Sequence, residues 1–261
     1  MAVQVEGLSK TFGYVAVGKG ITLKETLVQY AFRRSSRQRI VEALHDVSFS
    51  IDSGEMLGVI GRNGSGKTTL LRLLAGVYRP DKGRISITGS LTPLLSLGSG
   101  FHPELTGREN VRIELLVLGL SPKEIDQRMD QIIDFSEIGN FADAPARTYS
   151  TGMRVRLAFA AAMSVDPDVL LLDEVLAVGD EAFKLKCMGA IDGFRDRGKT
   201  IILVSHSTQT IAERCNSALW LDRGRVAAFG PASDIVDAYR ANATLARAAD
   251  LARGSGALPL V

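Results

Sequence analysis

The chain has 261 residues, 46% of them hydrophobic and 23% charged, a mix that suits one large globular domain, or one with a subdomain, and excludes a disordered or fibrous chain. A net charge of +2 argues against a dedicated nucleic-acid binder. No apolar run reaches the roughly 18 to 20 residues that cross a bilayer, and Met1-Ala2-Val3-Gln4-Val5-Glu6 lacks the basic segment and apolar core of a secretory leader. The expected location is therefore the cytosol, unless a partner holds the chain at a membrane. Cys187 and Cys215 have no metal-ligand spacing and are too few for a disulfide scaffold, so both read as reduced packing residues.

In chain order, residues 3–12 and 44–51 read as strands separated by a long loop over 13–41. That loop carries Lys19, Lys24, Arg33, Arg34, Arg37 and Arg39 against the single acid Glu25, net +5, which leaves −3 for the rest of the chain. Within it, Leu23, Leu27, Tyr30 and Ala31 have helical spacing and predict a short amphipathic helix over 23–32. A short apolar strand over 56–60 and a helix over 69–75 then flank Gly61-Arg62-Asn63-Gly64-Ser65-Gly66-Lys67-Thr68. An alternating strand follows at 83–89. From 107 to about 166 the pattern turns helical, with Ser121-Pro122-Lys123-Glu124 opening one helix and 151–163 holding another. Strand signals return at 169–172, 200–204 and 218–221, and Asp222-Arg223-Gly224 turns into a segment over 225–229. An alanine-rich helical tail over 232–251 comes last. The simplest reading is an α/β core interrupted by a helical insertion.

The glycine-rich octet is the strongest chemical signal. Its glycines let backbone N–H groups curl around an anion without a Cβ in the way, and the following helix adds partial positive charge at its N-terminus. In such a loop Lys67 reaches the β- and γ-phosphates of a nucleotide and Thr68 gives one oxygen to Mg²⁺, with Thr69 next in line. Asp173-Glu174 follows four consecutive apolar residues, so two carboxylates emerge from the end of a buried strand. Two acids there can simply cap a loop. With a phosphate loop upstream, Asp173 is instead expected to hold Mg²⁺ and Glu174 to polarise the attacking water.

Three further motifs complete an ordered set: Tyr149-Ser150-Thr151-Gly152-Met153, Asp180, and Ser205-His206 after a strand. With them the chain resembles the nucleotide-binding subunit of ATP-binding cassette (ABC) transporters, whose signature commonly reads Leu-Ser-Gly-Gly-Gln. The resemblance implies an α/β fold: a P-loop NTPase (RecA-like) core with an antiparallel β subdomain and an inserted α-helical subdomain near 97–166. It places the ATPase domain at 1–239, with the extended basic loop at 13–41, and leaves 240–261 as a short tail. Implied cofactors are ATP and Mg²⁺. By resemblance, Ser150 and the N–H groups near Gly152 contact the γ-phosphate held by a second copy, Asp180 is the aspartate that closes the segment after Glu174, His206 orients Glu174 and the water, and Phe12 stacks on adenine. The family's usual glutamine beyond the next strand is missing, and Ser96 is the nearest substitute, reaching the metal through water.

The segment Leu97-Gly98-Ser99-Gly100-Phe101-His102-Pro103-Glu104-Leu105-Thr106-Gly107-Arg108-Glu109-Asn110, the Tyr-Ser-Thr-Gly-Met signature and Asp173-Glu174-Val175-Leu176-Ala177-Val178-Gly179-Asp180 together resemble the polysaccharide and polyol-phosphate exporters (Wzt-like). That subfamily implies an ATPase that drives a separate transmembrane permease from the cytoplasmic face of the membrane. Its cargo is a lipid-linked glycan of the O-antigen, teichoic acid or cell-wall galactan type. The basic loop becomes a candidate for the anionic end of that cargo, with a solvated or permease-packing loop as the plain alternative. Some members carry a further carboxy-terminal β-sandwich that binds the glycan; the short tail here implies none. Two rivals are a soluble ABC ATPase acting on ribosomes or DNA, which usually joins two cassettes or adds coiled coils, and a regulatory subunit with little turnover, against which Asp173, Glu174 and His206 weigh.

Overall fold

Two sheets organise the chain in its computed structural model, which describes residues 1–15, 38–95, 97–173 and 180–254. In chain order the first half holds β1 (Val3–Val15), β2 (Gln38–Ile51), β3 (Met56–Ile60), α1 (Lys67–Leu74), β4 (Lys82–Ile87), β5 (Leu91–Leu94), α2 (Gly107–Val117) and α3 (Pro122–Ser136). Two 3-10 turns, Gly139–Asp143 and Ala146–Thr148, lead to α4 (Thr151–Ser164) and β6 (Val169–Asp173). The remainder is α5 (Glu181–Asp196), β7 (Thr200–Val204), α6 (Thr208–Arg214), β8 (Ser217–Asp222), β9 (Arg225–Pro231) and α7 (Ala232–Gly254).

The larger sheet runs β5-β6-β7-β3-β8-β9, with every neighbouring pair parallel except β8 and β9. β3 and β7 are buried at every position and β6 at all but its last, which explains why they read as unbroken apolar runs rather than alternating ones. Leu91–Leu94 carries no strand signal of its own because Pro93 interrupts it. The strand forms at the sheet edge, where a missing N–H costs no ladder bond.

The smaller sheet is antiparallel, in the order β2-β1-β4. Here the structure corrects the strand limits: β1 continues past Phe12 and β2 starts well before Leu44, so the two pair from Val3↔Ile51 out to Val15↔Gln38. Residues 13–15 and 38–43 are therefore strand rather than loop. The outer ribbon escapes a sequence reading because it lacks an in–out alternation: Ile40 and Val41 are adjacent and both exposed. Asp81 braces its base by accepting from Lys10 Nζ at 2.8 Å and from the Thr11 backbone and hydroxyl at 2.7 Å each. Those bonds, Lys10 first, hold the Asp81 carboxyl down at about 2. The helix expected over 23–32 lies outside the described residues.

One core fills the space between the two sheets, around Val5, Leu8, Leu57 and Leu70. A second lies on the other face of the parallel sheet beneath α5, α6 and the start of α7, around Phe183, Ile191, Ile211 and Val236. The helices between β5 and β6 build a third, around Val111, Ile125, Ile132 and Leu157. α4 serves two of these at once, with Phe159 and Ala162 in the second and Leu157 and Ala160 in the third. A helix wedged between cores must be apolar on most sides, hence the Leu157-Ala158-Phe159-Ala160-Ala161-Ala162 run. Cys187 is buried in the second core and Cys215 packs against it; both thiols are free, and burial pushes each up to about 12. No helix of the described residues is long and apolar enough to cross a membrane.

Candidate nucleotide site

Three adjacent parallel strands deliver the chemistry to one place. β6, β7 and β3 lie side by side with Asp173↔Val204 and Val59↔Val204 in register. Asp173 thus ends one strand, His206 follows the next, and the glycine-rich loop follows the third. Residues just past the carboxyl ends of neighbouring parallel strands face one crevice, and here it is a cleft of about 960 Å³. Asn63, Gly64, Gly66, Lys67, Thr68 and Thr69 line it, opposite Asp173 and His206.

The loop is held in a conformation that requires glycine at two points. Gly61 has φ 151°, and a Cβ there would sit 2.3 Å from the Leu221 carbonyl oxygen. Gly66 has φ 107°, and its Cβ would meet the Ala43 carbonyl oxygen at 2.7 Å. β2 and the β8–β9 turn press on the loop from outside. The Gly224 N–H donates to Ser65 O at 3.0 Å, and the His45 N–H donates to Gly224 O at 2.8 Å.

The interior of the loop is polar and preorganised. Lys67 is buried, and its ammonium donates to Gly61 O at 2.8 Å and Arg62 O at 3.1 Å. Arg62 itself is exposed. The Ser65 hydroxyl is buried without a hydrogen-bond partner, an arrangement that normally signals a polar ligand. The first-turn N–H groups of α1 have no acceptor within the helix, and the N-cap Gly66 has no side chain to cap them. The buried hydroxyl, the lysine and this uncapped glycine start together fit a phosphate chain. Thr68 and Asp173 both line the cleft, and one hydroxyl with one carboxylate suits Mg²⁺ bound together with nucleotide phosphates.

The other expected residues divide. Ser150 is the N-cap of α4, accepting from Met153 N at 3.2 Å, and is exposed; neither it nor Gly152 is among the described residues lining this cleft. Their neighbours Thr151, Arg154 and Val155 do line it. Asp180 caps α5, accepting from Phe183 N at 2.9 Å, and also receives Arg156 Nη2 at 2.6 Å. The Phe183 bond and then Arg156 lower its pKa. Phe12 is half-buried, with its ring 5.3 Å from Tyr78 in an edge contact, and is not among the described lining residues. Glu174 and Ser96 lie outside the described residues.

Two features escaped the sequence reading. Val41, Glu42 and Ala43 form a wall of the cleft; the β-branched Ile40-Val41 pair was the available signal. Asn110 is buried and organises the segment before α2. Its side chain accepts from His102 N at 2.6 Å and donates to the carbonyls of His102, Leu105 and Thr106 at 2.9 to 3.2 Å. Tyr149, at the first signature position, is also buried and donates its hydroxyl to Phe141 O at 2.5 Å, so it closes the helical core where the family commonly has leucine.

A parallel sheet whose strand ends gather a phosphate loop, an aspartate and a histidine defines a P-loop nucleotide-binding fold. The profile of the family described as ABC transporter matches residues 44–177, just over half of the chain, and the chain belongs to that family. It is 45% identical over 94% of its length to the O-antigen export system ATP-binding protein RfbB of Myxococcus xanthus, and spans 58% of that relative. A second protein of that name, from Klebsiella pneumoniae, is 48% identical over 76% of this chain and 80% of its own. The structure of an ATP binding subunit of an ABC transporter superposes with a TM-score of 0.72 at 24% identity, covering 92% of this chain and 93% of that one, and so shares the fold.

Proposed function

We propose that this chain is the ATP-hydrolysing subunit of an exporter that moves a lipid-linked polysaccharide across the cytoplasmic membrane. The observation that carries the reading is the single cleft in which the phosphate loop, Asp173 and His206 converge from adjacent strand ends. Lys67 and the loop N–H groups bind the β- and γ-phosphates. Thr68 and Asp173 would hold Mg²⁺, with Ser96 near it through water, and the ion's contribution when bound is charge neutralisation at the phosphoryl oxygens. Glu174 polarises the attacking water, His206 orients it, and Phe12 serves the adenine end. Ser150 and Gly152 address the nucleotide of a second copy, a role supported by the exposed N-terminus of α4.

In this reading, residues 1–239 form the ATPase unit, 97–166 its helical part and 240–261 a tail. Two copies sit on the cytoplasmic face beneath a separate permease, which meets the segment that Asn110 organises. O-antigen export, named for both relatives reported above, supports a glycan cargo. The basic segment 13–41, whose two ends are strand, is the candidate for its anionic end.

The decisive experiment measures ATP binding, ATP turnover and dimerisation for Glu174→Gln beside the wild type, with the permease present. The variant should bind ATP normally, lose turnover by about 100-fold or more, and accumulate as a dimer. Near-normal turnover would remove Glu174 as the base. Unchanged export after joint replacement of Arg33, Arg34, Arg37 and Arg39 in an intact complex would remove the basic loop from cargo recognition.

A further inference from the structure

Four charged side chains alternate across the joint between the helical region and the parallel-sheet core. Arg156 of α4 donates from Nη2 to Asp180 at 2.6 Å and from Nη1 to Glu137 at 3.0 Å. Glu137 in turn accepts from Lys186 of α5 at 2.8 Å, and the same ammonium donates to Phe135 O at 2.9 Å. The sequence Asp180, Arg156, Glu137, Lys186 therefore crosses the joint twice. The Arg156 guanidinium also lies 4.6 Å from the centroid of the Phe183 ring, a cation–π arrangement that fixes its plane.

Two details separate this cluster from ordinary surface ion pairing. Arg156 is only 18% exposed, although Asp180 and Glu137 are 65% and 48% exposed. Glu137 follows α3 with φ 58°, a left-handed conformation rarely adopted by a residue with a side chain. The exposed carboxylates make the pairs weak contributors to folding stability, while the two-pronged arginine makes them geometrically demanding. Weak but directional contacts at a joint act on relative placement.

The ends of this network are informative. Arg156 shares α4 with Ser150, the N-cap of that helix, and Asp180 fixes the start of α5 directly after the segment that begins at Asp173 and Glu174. We infer that Arg156 is a positioning residue that ties the α4 N-terminus to the start of α5, so that engagement of a second copy's nucleotide at Ser150 and hydrolysis in this chain's cleft rise together. The inference rests on the proposed ATPase reading. Asp180 then acts through Arg156 and the α5 cap.

The test compares wild type, Arg156→Ala, Asp180→Asn and the double variant in the full chain, with kcat, KM for ATP and Tm read together. Asparagine keeps the cap of α5 and removes the charge. Arg156→Ala should lower kcat by about tenfold, leave KM within about twofold and barely move Tm; Asp180→Asn should act in the same direction, and the double variant should lose no more than Arg156→Ala alone. Wild-type kcat in Arg156→Ala, or losses that multiply in the double variant, overturn the link. A kcat loss that scales with a falling Tm assigns Arg156 to folding and also overturns it. In a Glu174→Gln background, Arg156→Ala should raise the ATP concentration needed for dimerisation by about tenfold, and an unchanged requirement overturns the link without reference to turnover. A wild-type chain that binds ATP and dimerises but never hydrolyses it counts against the ATPase reading instead.

Discussion

The N-termini of α1 and α4 are both places where an anion can sit, but they are finished differently. α1 starts at Gly66 in a left-handed conformation with no side-chain cap. α4 starts at Ser150, whose hydroxyl accepts from Met153 N, and the same kind of cap is supplied by Thr106, Ser121, Asp180 and Ser207 for α2, α3, α5 and α6. Capping consumes donors that a helix leaves over, so a helix whose role is packing is capped. α1, which starts without an N-cap side chain behind the glycine-rich loop, turns its first turn towards this chain's own cleft. α4 is capped yet exposed, and the Ser150 hydroxyl keeps its own proton to donate outward. In the proposed reading, the anion that meets it belongs to a second copy.

The largest effect that can break this contrast is Lys67→Ala. It should weaken ATP binding by about 100-fold, measured by titration calorimetry, because it removes the buried cation of the enclosed site. Persistent tight binding would mean that the α1 end is not the phosphate site. Ser150→Ala should leave ATP affinity of the single chain unchanged and cut turnover by about tenfold, at a stability cost near 1 kcal/mol for the lost cap. Weaker single-chain binding in that variant would place Ser150 at this chain's own nucleotide and erase the distinction.

Gly107→Ala tests whether the helical region can be strained apart from the α1 site. Its Cβ would lie 2.3 Å from the Tyr149 hydroxyl, so a loss of about 1–3 kcal/mol is expected in denaturant unfolding, with ATP affinity retained. The smallest effect concerns Glu114 on α2. The residue is half-buried, but its Oε2 is sealed from solvent without a hydrogen-bond partner, and burial pushes its carboxyl from 4.5 up to about 7. A raised carboxyl keeps its proton in the folded chain while the unfolded chain releases it, so stability falls as pH climbs from about 4.5 towards 7. Glu114→Gln should therefore raise Tm by about 2–4 °C at pH 8 and by less at pH 5. An equal gain at both values would remove the buried carboxyl from the explanation.

The elements with continuous apolar runs or explicit caps were legible in the sequence. Thr200–Val204 has the expected limits, and α3 begins behind the capping box that Ser121 and Glu124 announce. The phosphate loop, Asp173 and His206 were legible because each stands at the end of a buried strand. Less legible were features set by approach between distant segments. The wall formed by Val41, Glu42 and Ala43 exists because the ribbon of β1 and β2 runs longer than its alternation reveals. Arg156 looks like one more charge on an apolar helix until Asp180, Glu137 and Phe183 are brought around it. Phe12 stands on the expected strand, but its ring faces Tyr78, a partner that only the folded chain supplies.

The pairing of Val15 with Gln38 gives the β1–β2 ribbon one more property. It fastens both ends of residues 16–37 to each other before they reach the body of the protein. Because those ends already sit side by side, a change in the number of residues between them costs little, since doubling a loop adds only about 0.6 kcal/mol of closure entropy. Such a change is absorbed at the tip of the ribbon, away from the strand ends that hold the phosphate loop.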